Sequence, residues 1–79
     1  MNTKVDEMDD LMKNVPFLEM AVQQYPNNYA ALFFLGANYY NGTNGAVKDV
    51  KRAIDLFMRA AEAGSSEAAN LLGIVYRDG

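Results

Sequence analysis

The stretch AALFFLGANYYNG at residues 30–42 is the strongest indication of the fold, because it returns in altered form as EAANLLGIVYRDG at residues 67–79. The two stretches align at an offset of 37 residues. The matching pairs are Ala31 and Ala68, Leu35 and Leu72, Gly36 and Gly73, Tyr39 and Tyr76, and Gly42 and Gly79. Internal similarity at a fixed period of this length is typical of helical repeat proteins. The sequence therefore predicts a repeated structural unit.

The composition predicts a single domain, residues 1–79, in an ordinary globular class. Hydrophobic residues make up 51% of the chain and charged residues 22%, which argues against intrinsic disorder. The net charge is −3 and no basic cluster is present, so we expect no nucleic-acid partner. There is no long apolar run and no secretory signal, so we expect no membrane contact and a cytoplasmic location.

Hydrophobic periodicity predicts about five helices. The first covers residues 3–14, where apolar residues recur at three- and four-residue steps, although a solvated acidic arm is the alternative. The second lies within residues 16–27, between Pro16 in its first turn and Pro26 beyond its end. The third covers residues 28–41 with Asn27 or Asn28 as its cap. Its buried face consists of Leu32, Leu35, Gly36 and Tyr39.

Glycine in the middle of the third helix predicts a close helix contact. Gly36 costs up to about 1 kcal/mol relative to alanine there, and close approach of a neighbouring helix would offset this cost. Because the glycine recurs at Gly73, we expect the same packing at both positions. The following NGTNG at residues 41–45 is typical of a helix end and a tight turn. A phosphate-binding loop is the alternative, but the lysine and hydroxyl that should follow its last glycine are missing.

The fourth helix begins at Asp49 and ends at Gly64. Its predicted apolar face consists of Val50, Ala53, Ile54, Phe57, Ala60 and Ala61. Ser65 or Ser66 then caps the last helix, which belongs to residues 65–79.

The repeated residues resemble the Sel1-like repeat, a relative of the tetratricopeptide repeat. The matching positions are Ala31, Leu35, Gly36, Tyr39, Gly42, Asp49, Arg52, Ala53, Ala60, Ala61 and Gly64, and again Ala68, Leu72, Gly73, Tyr76 and Gly79. The match covers residues 28–79, with one repeat at 28–64 and the first helix of a second, incomplete repeat at 65–79. Ala46 replaces the usual valine, and the turn is one residue longer. Residues 16–27 are similar to a partial tetratricopeptide unit.

The resemblance implies an all-α fold, an α-α superhelix in which the first helix of each pair lines a concave wall. On a helical wheel Phe33, Ala37 and Tyr40 lie on one side of the buried face, and the offset adds Asn70, Ile74 and Arg77. These six residues are the candidate partner-binding face for a protein or peptide. Packing of Phe33 and Tyr40 against an adjacent helix is the alternative. Because Arg77 is the one cation among the six, an apolar or aromatic partner segment fits better than a carboxylate.

The residue types do not favour catalysis. The chain has no histidine and no cysteine, so the commonest general base, the thiol nucleophile and the usual zinc ligands are missing. We therefore expect a protein-interaction module or adaptor, not an enzyme, with no catalytic residue, no cofactor and no metal. The alternative is a small stand-alone inhibitor or immunity-type protein that blocks a target enzyme with its acidic N-terminal helix, through Asp6, Asp9 and Asp10.

The end of the sequence leaves the last repeat without its second helix. We expect Leu71, Leu72 and Val75 to be partly bare. Met1 opens the chain without a visible tag, which favours a complete small protein over a piece of a longer array. In that case the bare face predicts a homodimer through the incomplete C-terminal repeat.

Overall fold

Residues 13–78, the part that the computed structural model describes, contain four α-helices and no strand. The helices are α1 (Val15–Gln24), α2 (Tyr29–Asn41), α3 (Val50–Glu62) and α4 (Ser66–Asp78). The all-α class is confirmed for these residues. The predicted helix at residues 3–14 lies outside them except for Lys13 and Asn14, which are not helical. Asn14 instead precedes α1, so the expected count of five is not reached in the described range.

A side-chain oxygen caps the start of every helix. It accepts a hydrogen bond from a backbone N–H in the first turn, where no intrahelical carbonyl is available. The pairs are Asn14 with Phe17 at 3.0 Å, Asn28 with Ala31 at 3.3 Å, Asp49 with Arg52 at 3.1 Å and Ser65 with Ala68 at 3.1 Å. The two capping positions that the sequence left open are therefore Asn28 and Ser65.

Glycine ends α2 and α3 because the chain must turn with a left-handed backbone there. Gly42 has φ +66° and Gly64 has φ +119°, a region that L side chains rarely adopt. After α3, the amide of Ser65 donates to the carbonyl of Ala60 at 2.9 Å and so satisfies a terminal carbonyl of the helix. The predicted helix ends are confirmed.

The loop between α2 and α3 is held by Asn38, a buried residue that the sequence did not single out. Its Oδ1 accepts hydrogen bonds from Thr43 Oγ1 at 2.9 Å and Asn44 Nδ2 at 2.6 Å. Its Nδ2 donates to the carbonyl of Phe34 at 3.0 Å. The NGTNG turn is therefore tied to the body of α2 by one amide side chain.

Each helix packs against its neighbours in the chain, and the α2–α3 contact is the most extensive. Leu32 and Leu35 of α2 are fully buried, as predicted, whereas Tyr39 is half-buried. In α3 the buried residues are Ala53, Leu56, Phe57 and Ala60. Leu56 was not predicted for the apolar face but is buried, because α3 is covered by α2 on one side and by α4 on another. Val50 was predicted for that face but is exposed.

The two repeated glycines have different surroundings. A Cβ built on Gly36 would lie 2.9 Å and 3.0 Å from ring atoms of Phe57 and 3.3 Å from Cβ of Leu56. The predicted close approach is therefore confirmed at Gly36. At Gly73 it is wrong, because Gly73 is exposed and a Cβ there would meet nothing within 4 Å. The helix that covers Gly36 is α3.

Candidate functional site

An apolar groove lies between α2 and α4. Its volume is about 230 Å³. The residues that line it are Ala37, Tyr40, Asn41, Phe57, Leu71, Ile74 and Val75, none of them charged. Both α2 and α4 pack on α3, and Phe57 of α3 forms the floor of the groove between them.

Aromatic rings pack against one another at this floor. The ring centroid of Phe57 lies 5.8 Å from that of Phe33 and 6.4 Å from that of Tyr40, both in tilted arrangements. Phe33 also contacts Phe34 edge-on at 5.6 Å. Such ring pairs stabilise a fixed geometry. Tyr40 is nevertheless 38% exposed, so part of its ring faces the groove.

The structure brings together three of the six residues predicted for the partner-binding face. Ala37, Tyr40 and Ile74 line the groove, and Ile74 is 45% exposed. Phe33 lies outside it, packed on Phe57, as the alternative for this residue proposed. Asn70 and Arg77 are exposed on α4 but do not line the groove.

Sequence reasoning missed four lining residues of the groove. The sequence pattern assigns Phe57 to the apolar face of α3 and Asn41 to the turn after α2. Leu71 and Val75 were expected to be partly bare, which is confirmed, but they were not included in the site. The available signal was their spacing. Leu71 is three residues before Ile74 and Val75 is four residues after Leu71, and residues so spaced share one helix face.

A second cleft, of about 320 Å³, lies between α1 and α3 and is polar. Its charged residues are Glu19, Arg52, Asp55 and Arg59. Arg52 Nη2 lies 2.9 Å from Glu19 Oε1. Since both signs are present in equal number, this cleft offers a ligand no net charge.

Three helices meet at the edge of this cleft through Tyr39. Its hydroxyl donates to Glu19 Oε1 at 2.9 Å, and the guanidinium of Arg52 lies 4.8 Å from its ring centroid. Burial, followed by the hydrogen bond to Glu19, raises the pKa of Tyr39 above its ordinary value. The hydrogen bond to Glu19 likewise raises the pKa of Arg52. These groups cross-link α1, α2 and α3.

The described residues offer neither a metal site nor a membrane span. Within residues 13–78, no three acidic side chains lie close enough together to hold a metal ion. No helix of this range has the length and apolar character needed to cross a membrane. The acidic residues of the inhibitor alternative, Asp6, Asp9 and Asp10, lie outside the described residues.

Comparisons with known proteins do not identify this chain. No family model, curated protein or solved structure matches it. The resemblance to the Sel1-like repeat therefore stays a prediction made from the residues, as do the repeat boundaries and the homodimer.

Proposed function

We propose that this chain is a protein-interaction module whose α2–α4 groove binds an apolar segment of a partner protein. The observation that supports this most is the groove itself, which has an uncharged lining and an aromatic floor and whose lining residues Tyr40 and Ile74 are exposed. The proposal involves no catalysis and no cofactor.

The proposed architecture is a short α-α superhelix of Sel1-like or tetratricopeptide-like hairpins. In it, α2 and α4 are the first helices of successive hairpins, related by the offset of 37 residues. Two findings support this assignment. Each helix packs on its chain neighbours, and α2 and α4 line one groove. Such a stack places equivalent helices side by side on one surface.

The size of the groove favours a side-chain anchor over a small-molecule ligand. Pockets for drug-sized molecules and cofactors usually have volumes of about 300–1,000 Å³. The groove, at about 230 Å³, is smaller, and an inserted leucine, isoleucine or phenylalanine side chain matches its apolar lining. We therefore propose a partner segment with one bulky apolar residue seated between Tyr40 and Ile74.

A polar group at the rim would orient the backbone of that segment. The side chain of Asn41 donates from Nδ2 to the carbonyl of Ala37 at 3.1 Å. Its Oδ1 accepts no hydrogen bond from residues 13–78. This oxygen is therefore free to accept from a backbone N–H of the bound segment, which combines an apolar anchor with one directional contact.

The test is a selection of peptides from a random display library on the immobilised chain. Burial of one leucine-sized anchor contributes about 1.5–3 kcal/mol, so loss of its site should weaken binding roughly 10- to 100-fold. We expect selected peptides to share a bulky apolar residue and to lose binding to the Ile74→Glu variant.

Met20→Glu is the matched control, since Met20 is also an exposed apolar residue but lies on α1, away from the groove. It should bind the selected peptides as the unmodified chain does. Peptides that bind Ile74→Glu and Met20→Glu equally well would disprove the groove as the binding site, and so would a selection without enrichment.

A further inference from the structure

The outer face of α4 repeats residues that are covered in α2. At the repeat offset, Leu35 corresponds to Leu72, Gly36 to Gly73 and Tyr39 to Tyr76. Leu35 and Gly36 are buried and Tyr39 is half-buried, whereas Gly73 is exposed and Tyr76 is 60% exposed. Gly73 and Tyr76 therefore face outward where their counterparts in α2 lie against a helix, whereas Leu72 packs against the core, as Leu35 does.

The helix that covers this face in α2 is α3, and it does so with two particular side chains. The ring of Phe57 fills the space above Gly36, within 3.0 Å of where a Cβ would be. The guanidinium of Arg52 lies over the ring of Tyr39 at 4.8 Å. The contact thus consists of an aromatic residue on a glycine and, five residues earlier, an arginine on a tyrosine.

The outer face of α4 is distinct from the α2–α4 groove. At about 100 degrees per residue, Gly73 and Tyr76 project to the side of α4 opposite to Leu71 and Ile74. Beside this outer face lies Met58 of α3, 43% exposed, whose Sδ is 3.6 Å from the Tyr76 hydroxyl. We define Met58, Gly73 and Tyr76 as the outer platform.

We propose that the outer platform binds an amphipathic helix of a partner protein that carries the α3 pattern, an arginine followed five residues later by a phenylalanine. The phenylalanine lies on Gly73 and the arginine over the ring of Tyr76, as Phe57 and Arg52 lie on α2. This surface and this partner are additional to the groove and do not depend on it.

A second copy of the chain does not supply such a helix. Its own α3 is already packed on α2, where Ala53 is fully buried and Phe57 is almost so. Contact of α4 with a second α4 would place Gly73 and Tyr76 against the same residues, without the arginine and the phenylalanine that the pattern requires. The internal repeat therefore favours a separate helix.

The probe for the test is a synthetic peptide with the sequence of residues 49–62, acetylated and amidated at its ends, titrated into the isotope-labelled chain. We expect NMR shift changes at the outer platform, and a Phe-to-Ala change at the peptide position matching Phe57 should weaken binding by about 10-fold or more. Gly73→Leu should abolish binding because its side chain occupies the site of the phenylalanine. It should leave the fold intact, since a Cβ at Gly73 meets nothing within 4 Å. Met20→Glu, on α1, should bind the peptide unchanged.

Three results would overturn the proposal. The first is the absence of any shift change at a peptide concentration of about 1 mM. A Kd of this size corresponds to a binding free energy of only about 4 kcal/mol. The second is a set of changes confined to the α2–α4 groove or to residues that contact α3 in the chain. The third is a dimer, measured by sedimentation equilibrium, that becomes a monomer on the Gly73→Leu substitution. A second copy of the chain would then be the occupant. Failure of the groove proposal would leave these measurements unaffected, because they report on different residues.

Discussion

The same substitution, glycine to alanine, should have opposite effects on stability at Gly36 and Gly73. Both residues lie inside helices, so alanine adds up to about 1 kcal/mol of helix propensity at either position. At Gly73 no other term applies, because the new Cβ meets nothing within 4 Å. Gly73→Ala should therefore stabilise the fold by up to about 1 kcal/mol.

At Gly36 the new methyl group overlaps with α3. It would lie 2.9 Å from Cε1 of Phe57 and 3.3 Å from Cβ of Leu56. The Phe57 ring is buried and is held by Phe33 and Tyr40, so it has little room to move. Overpacking of this kind costs about 1–3 kcal/mol, so Gly36→Ala should destabilise the fold by a net 0–2 kcal/mol, roughly.

Urea unfolding followed by circular dichroism at 222 nm measures both variants. The difference between them removes the propensity term and isolates the overlap, at about 1–3 kcal/mol. With a urea dependence of about 1 kcal/mol per M for a small chain, the two midpoints should differ by roughly 1–3 M. In the Phe57→Leu background the cost of Gly36→Ala should shrink, since the two residues are coupled. Equal midpoints for Gly36→Ala and Gly73→Ala would refute the packing argument.

Two further predictions concern polar contacts. Asn38→Ala removes the acceptor of Thr43 and Asn44 in the α2–α3 loop and should lower the free energy of unfolding by about 1–3 kcal/mol. Amide hydrogen exchange at residues 42–45 should become faster. Unchanged exchange would contradict this role of Asn38. The unmodified chain should lose stability at alkaline pH through Tyr39, and the Tyr39→Phe variant should not show this loss. Burial raises the pKa of Tyr39 above 10.0, so the folded state holds this proton more tightly than the unfolded state. The resulting stability is complete below pH 10.0 and is lost as the pH rises through the raised pKa. Urea midpoints between pH 9 and 11, approximately, should fall more steeply for the unmodified chain than for Tyr39→Phe, and parallel curves would argue against a contribution from Tyr39.

The candidate site was predictable in part. Tyr40, Ala37 and Ile74 follow from the helical wheel and the repeat offset, because angular position on a helix depends on sequence spacing alone. The position of Phe33 did not follow, since its wheel angle fits both the groove and the contact with Phe57. Only the distance between α2 and α3 decides between these two positions, and that distance depends on the side chains of both helices.

Short-range sequence features were enough to predict α2 and α3 and their ends. Capping by Asn28 and Asp49 and termination at Gly42 and Gly64 depend on residues within a few positions, so local chemistry is sufficient. Which helix faces are covered depends on contacts between residues that lie far apart in the sequence. The ion pair of Glu19 with Arg52 joins residues 33 apart. Gly36 and Gly73 occupy equivalent positions in similar helices, yet only the first has a helix against it, because burial is a property of neighbours in space and not of the residue itself.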